Sequence, residues 1–475
     1  MLFTEIIFFV FCPLFFVFFF ATRGTARLSV CLIGSYIFYG WWDWRFLSLI
    51  LFTTVANFWF GQRIEKADSE SHKKKYLTLS VGTGLAVLAY FKYTNFFLDS
   101  LGACVRVLGI TWKFDTLHII LPLGISFYTL QTMTYTIDLY RGQVKREESL
   151  LRFAVFVAFF PRLVAGPILR AADFLPQLRE DRPFDWPRLI TGASMVAWGY
   201  VMKCVVADSL SGVSDIRFAA PVAHGSLSLI IGVVFYTFQI YADFAGYSLI
   251  AVGLARMLGY EFIRNFDRPS FSASFSEFWR RWHISLSSWL RDYVYIPLGG
   301  ARKGPARAYV NLMLVMFLCG LWHGAAWTFI AWGLIHGAYL CSQRLLGPFW
   351  EDLAKRLRLQ RPLTRAALIP CVFLLTSFAW IFFRAQTFGA AWTVIRVIAS
   401  MDSFTFAATP QQFEVVKGLL LIGALGAIEA TSFFVDLPRL ADRHLWLNGV
   451  FIVLCLITLS LLGTFTGATF IYAQF

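Results

Sequence analysis

The chain has 475 residues, of which 58% are hydrophobic, 18% aromatic and only 15% charged, with a mean hydropathy of +0.63. Soluble domains carry about 25% charged residues, so a soluble enzyme, a disordered protein and a secreted disulfide scaffold are excluded in favour of an all-α polytopic membrane protein. The net charge of +14 reads as basic cytoplasmic loops that orient helices in the bilayer, with an anionic substrate or lipid headgroups as further partners; no segment is long enough for a nucleic-acid-binding module.

A crossing needs about 20 apolar residues. The predicted runs are 2–21, 28–40, 45–61, 77–99, 116–139, 150–168, 189–207, 226–255, 309–340, 366–385, 412–435 and 446–472. Their lengths suggest about ten to twelve crossings. The first run has no basic residue before Arg23 and reads as an uncleaved span bent at Pro13, not as a secretory signal. Arg63, Lys66, Lys73, Lys74 and Lys75 crowd the stretch 61–75. Arg344, Lys355, Arg356, Arg358, Arg361 and Arg365 crowd 341–365, whereas 400–413 has Asp402 and no Lys or Arg. This bias puts the first two stretches in the cytoplasm and the third outside. The runs 226–255 and 309–340 exceed one crossing, and each is expected to break or re-enter. No internal repeat is visible, which weighs against a transporter of two inverted halves. The eight cysteines form no CxxC pair, so neither a zinc cage nor a redox pair is indicated; they read as small hydrophobes.

The stretch 275–293, FSEFWRRWHISLSSWLRDY, has another character. At about 100° per residue, Phe275, Phe278, Trp279, Trp282, Leu286, Trp289, Leu290 and Tyr293 fall within about 60° of one line. It reads as one amphipathic helix lying in the interface, with His283 on the edge between its faces.

His323 stands in LCGLWHG, deep in the uncharged run 309–340. An ionisable side chain at membrane depth needs a partner or a water-filled cavity, and marks function by default. A neutral imidazole there can take the proton of a hydroxyl as that hydroxyl attacks an acyl carbon. His336, 13 residues on, falls on the opposite face of a continuous helix and reads as structural. The pairs Gly320/Gly324 and Gly333/Gly337 read as helix packing. Asp243, Gln239, Asp138 and Arg162 are further polar groups in apolar runs. Asp243 needs a partner, and Pro161, Gly166 and Pro167 around Arg162 argue for a broken helix lining a cavity. Structural pairing and function stand as equal alternatives for both. No Walker loop, GxSxG, HExxH or dinucleotide fingerprint is present.

FSEFWRRWHISLSSWLRDYVYIPLGG (275–300) followed by GLWHGAAWTFIAWGLIHG (320–337) resembles the membrane-bound O-acyltransferase family, in particular its bacterial alginate O-acetyltransferase branch. SYIFYGWWDWRFL (35–47), YFKYTNFF (90–97), LPLGISFYTLQTMTYTIDLYRG (121–142), FFPRLVAGPILR (159–170), KCVVADSL (203–210), QIYADFAGYSLIAVGL (239–254), WIFFRA (380–385) and FIYAQF (470–475) extend the likeness along the chain. The resemblance implies a single domain over 1–475, a ring of tilted helices with re-entrant or interfacial pieces around a central tunnel, and residence in a bacterial inner membrane. It places the family's active histidine on His323 and a second histidine on His283. It implies acetyl-CoA as donor with no permanently bound cofactor and no metal. The acceptor would be an exported polysaccharide, reached directly or through a periplasmic acetyltransferase partner; alginate, cellulose and peptidoglycan all stay open. Ala473 and Arg162 depart from the branch pattern, in regions that bear on acceptor and partner. Charge makes Arg280, Arg281, Arg302 and Lys303 candidates for holding the CoA phosphates, with positive-inside anchoring as the alternative for each. Trp322 and Asp243 complete the candidate substrate-binding set. D-alanyl transfer from a carrier protein, and transport of an acyl or glycan intermediate, are the rival readings.

Overall fold

The computed structural model describes residues 1–109, 117–356, 360–402, 411–435, 443–464 and 470–471; they form helices joined by turns and loops, with no strand among the described residues. Helices Trp186–Ala219, Ser226–Met257, Pro305–His323, Pro362–Arg384 and Leu445–Leu462 are long and apolar enough to cross a membrane. This is a multi-pass helical membrane protein. The stretch 403–410, central to the expected outward loop, and the last four residues with Ala473 lie outside the described residues.

The chain forms two compact units, Met1–Ala193 with Ile250–Ile263, and Ser194–Leu249 with Arg264–Phe475. The first contains α1 (Ile6–Ala21), α2 (Gly24–Asp43), α3 (Leu47–Glu65), α4 (Glu70–Leu88), α5 (Thr94–Val107), α6 (Ile125–Tyr140) and α7 (Leu150–Ala158). Pro13 lies inside α1. Helix α6 is buried almost throughout despite its many hydroxyls. Several are satisfied internally: Thr132 and Thr134 donate to carbonyls of their own helix, and Thr136 accepts from Ser80 at 3.0 Å. Gln131 donates to the Phe156 carbonyl at 2.7 Å. The backbone around Arg162 is broken as the prolines foretell, with a short helix Phe160–Leu163 followed by irregular chain. Arg162 is buried there and donates to the Val157 carbonyl at 2.6 Å.

The second unit is built on α8 (Asp208–Ala219), α9 (Ser226–Met257) as far as Leu249, α10 (Phe275–Arg281), α11 (Ile284–Leu290), α12 (Pro305–His323), α13 (Trp327–Arg356), α14 (Arg361–Arg384), α15 (Phe388–Ser400), α16 (Gln411–Thr431) and α17 (Leu445–Leu462). The run 309–340 breaks as expected, at 324–326 between α12 and α13. The run 226–255 does not. It is part of one uninterrupted 32-residue helix, about 48 Å long. Without proline, every interior N–H keeps its helical acceptor. Gly246 serves close packing there instead of a kink: a Cβ on it would come within 2.7 Å of the Gly199 carbonyl oxygen.

The stretch 275–293 also differs from expectation. It is two short helices divided at Trp282 and His283, followed by a π-helical turn, Arg291–Tyr295. Phe278, Trp279, Trp282, Leu286, Trp289 and Leu290 are buried. The apolar stripe thus packs inside the protein, where periodicity alone had pointed it at lipid.

Candidate active site

Helices α12 and α13 form an antiparallel hairpin. A Cβ on Gly320 would meet the Phe329 carbonyl oxygen at 2.3 Å, one on Gly333 the Met316 oxygen at 2.2 Å, and one on Gly337 the Met313 sulfur at 2.9 Å. The glycines therefore do let the backbones touch. His323 is the last residue of α12, and the Gly324 N–H closes the turn onto the Gly320 carbonyl. Folding back at 324–326 brings α13 alongside His323. The His323 ring lies 5.0 Å from Trp332, and Trp332 lies 4.9 Å from His336. His336 therefore belongs to the same aromatic cluster. The opposite-face assignment assumed a continuous helix, and the break removes that assumption.

His283 lies at the division between α10 and α11, with φ 42° and ψ 55°. A non-glycine residue rarely adopts this left-handed region, which costs about 1–3 kcal/mol and persists only when surroundings over-determine it. Here the loop at 265–267 does so. The Asp267 N–H donates to the Arg281 carbonyl at 2.9 Å, and the Ile284 N–H donates to the Asn265 carbonyl at 2.9 Å. These bonds replace the helical ones lost at the break. The Asn265 side-chain oxygen accepts from the Ser285 N–H at 3.2 Å and the Ser285 hydroxyl at 2.9 Å, and lies 3.2 Å from His283 Nδ1. A backbone N–H can only donate, so that amide atom is the oxygen and His283 Nδ1 carries its proton. Nε2 is then the proton-accepting nitrogen. The His283 imidazole is fully buried. Its ring stands 4.7 Å from Phe244, 5.6 Å from Trp322 and 6.2 Å from His323. The two predicted histidines and Trp322 are thus brought together.

A cavity of about 520 Å³ opens beside this cluster. Trp279, Met316 and Cys319 line it, together with Arg280, Arg291 and Arg344. Arg291 is paired with Asp292 at 2.7 Å, whereas Arg280 and Arg344 have no ion pair among the described residues. Arg281 turns to Glu277 at 2.9 Å, a carboxylate also held by Arg365 at 2.6 Å. Arg302 and Lys303 are exposed and line neither this cavity nor the one described next. The cationic wall is thus Arg280 with Arg344, the latter unmarked by sequence reasoning beyond its place in a basic stretch.

A second cavity, of about 550 Å³, is lined by Lys203, Asp208, Asp243, Gln239, Asp215 and Arg384 along its polar side. Lys203 projects from a π-helical turn, Val201–Ala207, and bridges Asp208 and Asp243 at 2.8 Å each. Asp243 also accepts the Ile471 N–H at 2.8 Å. Asp243 thus has the partner its burial demands, and it faces this second cavity. Phe329 and Phe383 line the same cavity, and Phe383 packs 5.4 Å from the His323 ring. His323 itself lines neither cavity; Cys319, one turn before it, belongs to the wall of the first, and Phe383, in contact with its ring, to the wall of the second.

Sequence reasoning missed Asn265, Lys203 and Asp208 as site residues. Asn265 and Lys203 act through contacts 18 and 40 residues away, which no local pattern encodes.

Two imidazoles buried 6.2 Å apart in a helical membrane protein, near two cavities with charged side chains in their walls, suit an intramembrane enzyme. Residues 145–383 match the membrane-bound O-acyltransferase family. The chain belongs to that family and is an O-acyltransferase. It is similar to a probable alginate O-acetylase of Azotobacter vinelandii, 43% identical over 84% of this chain and 78% of the relative. It is also similar to a peptidoglycan O-acetyltransferase of Helicobacter pylori, 32% identical over 84% of this chain and 80% of that protein. A teichoic acid D-alanyltransferase of Bacillus subtilis is 27% identical over 56% of this chain and 69% of its own length.

Proposed function

We propose that this protein transfers acetyl from acetyl-CoA to a hydroxyl of an exported polysaccharide, or of an extracytoplasmic partner transferase that finishes the transfer. The observation that carries this reading is His323, buried 6.2 Å from His283 and in ring contact with Phe383 of the charged cavity's wall. The relatives named for alginate and peptidoglycan O-acetylation support a glycan acceptor and an acetyl donor.

In this reading the enzyme resides in the bacterial inner membrane as a ring of about ten to twelve tilted helices, counted from span lengths, around a passage. The stretches 61–75, 256–308 and 341–365 face the cytoplasm and 400–413 faces outward, following their charge bias. Acetyl-CoA enters the arginine-lined cavity, where Arg280 and Arg344 meet its phosphates. The acceptor hydroxyl comes from the side of Lys203, Asp208 and Asp243. His323 takes the hydroxyl proton as the oxygen attacks the thioester carbon, and gives it to the departing thiolate. His283, fixed by Asn265, orients the reacting groups. Acetyl crosses; the coenzyme, large and anionic, stays on its own side.

The test is a purified protein in oriented proteoliposomes, given radiolabelled acetyl-CoA on the basic-loop face with candidate acceptors on the other. Labelled ester should form opposite the donor while free thiol accumulates with the donor. His323→Ala should lose about 10²–10⁴-fold in turnover, the usual contribution of a general base. Intact acetyl-CoA on the far side, or a His323→Ala protein within twofold of wild type, would refute the reading.

A further inference from the structure

The cluster behind His323 holds more hydrogen-bond donors than the protein uses. Trp279, Trp282 and Trp332 are buried, and the indole Nε1 of each has no hydrogen-bond partner among the described residues; neither ring nitrogen of His336 has one either. Buried polar groups are nearly always satisfied in folded proteins, so orphans gathered in one place need a reason. Trp279, Trp332 and His336 form a triangle with ring separations of 5.8, 4.9 and 5.2 Å. Trp332 is fully buried and edge-on to His323 at 5.0 Å. Trp279 reaches the wall of the arginine-lined cavity. An indole N–H can only donate. The group it awaits is therefore an acceptor, arriving from that cavity and ending beside His323. Donors held in place and kept from water suit an oxygen that gains charge during reaction.

We propose that Trp332 Nε1–H, seconded by Trp279 Nε1–H, is the oxyanion-stabilising donor of this enzyme. The proposal rests on the acetyl-transfer reading above. As the acceptor oxygen bonds to the acyl carbon, its proton passes to His323 and the carbonyl π pair moves onto the thioester oxygen, which the indole N–H holds. When the C=O re-forms, the C–S bond breaks and its pair leaves on sulfur. The thiolate takes the proton back from His323, giving an acetyl ester and free CoA thiol. Trp332 is thus a catalytic residue, and His336 completes the polar pocket around the same oxygen.

The experiment compares acetyl-CoA turnover of wild type, Trp332→Phe, and protein in which Trp332 is replaced by 3-benzothienylalanine, which keeps the bicyclic shape but has sulfur for N–H. Each variant is checked for membrane level and melting temperature. Loss of one such donor typically lowers kcat about 10²–10³-fold. Both variants should fall by that order with KM for acetyl-CoA within about threefold, because the contact strengthens only in the transition state. The benzothienyl protein separates the donor from packing. If its kcat stays within about tenfold of wild type, or if only its KM changes, the assignment is overturned. A wild-type protein that releases no thiol in the presence of acceptor would overturn the functional reading and this assignment with it. An active wild type with an undiminished benzothienyl variant overturns this assignment alone.

Discussion

Asn265→Leu tests how His283 is held. One buried amide oxygen receives the Ser285 N–H, the Ser285 hydroxyl and His283 Nδ1–H, at 3.2, 2.9 and 3.2 Å. Leucine leaves three buried donors without their acceptor, at about 1–3 kcal/mol each when nothing relaxes. The backbone bond from the Ile284 N–H to the Asn265 carbonyl survives the substitution and keeps the turn in place. The net destabilisation is then about 3 kcal/mol or more, read as a lowered melting temperature in nanodiscs. Turnover should fall further than stability suggests, by tenfold or more, since Nδ1 loses the acceptor that fixes the tautomer. Ser285→Ala is the control. It removes the hydroxyl bond and leaves the bond to His283, so it should lower stability by about 1 kcal/mol with kcat nearly unchanged. If Asn265→Leu and Ser285→Ala give the same kcat in a thiol-release assay, Asn265 is a structural cap and His283 needs no positioning.

Charge reversal of Arg280 and Arg344 together should raise KM for acetyl-CoA about tenfold or more, whereas reversal of Arg302 and Lys303 should change it by less than about threefold, because the latter pair lies off the cavity wall; equal effects would move the phosphate site. Lys203→Met leaves Asp208 and Asp243 buried without their cation and should cost about 3–5 kcal/mol, with Lys203→Arg milder; a Met variant melting within about 2 °C of wild type would show that the carboxylates find other compensation.

The site was legible where chemistry is local. His323 stood out because an imidazole in an uncharged run is rare enough to mark itself, and family motifs supplied His283. The hairpin glycines were legible from spacing, and the structure makes them backbone contacts. The Arg281–Glu277 pair was legible too, since Glu277 stands four residues before Arg281, the spacing at which helix side chains pair. Wheel arithmetic failed where continuity failed. His336 moved into the cluster because α12 ends at His323, and the 275–293 stripe lost its single face because Trp282 leaves the helix. Neither break has a proline at its centre to announce it. The opposite error, an expected break within 226–255, came from length alone, and length does not interrupt a helix whose donors are all paired.

The two breaks share a logic. Irregular backbone at membrane depth is tolerated only where protein or a lined cavity satisfies its polar groups. At 282–283 the loop at 265–267 supplies those bonds; at 324–326 the Gly324 N–H turns back onto Gly320. Each break carries a histidine at its edge, and their rings lie 6.2 Å apart. A helix interior would flank an imidazole with turns above and below, leaving one direction of approach. An imidazole at a helix end is open along the axis as well as from the side. His323, which ends its helix, has Cys319 one turn behind it on the wall of the arginine-lined cavity and Phe383 against its ring on the wall of the charged one. The histidines and the breaks are therefore one feature: each imidazole stands where a helix is interrupted, and the interruptions call for the bonds that Asn265, Asp267 and Gly324 make.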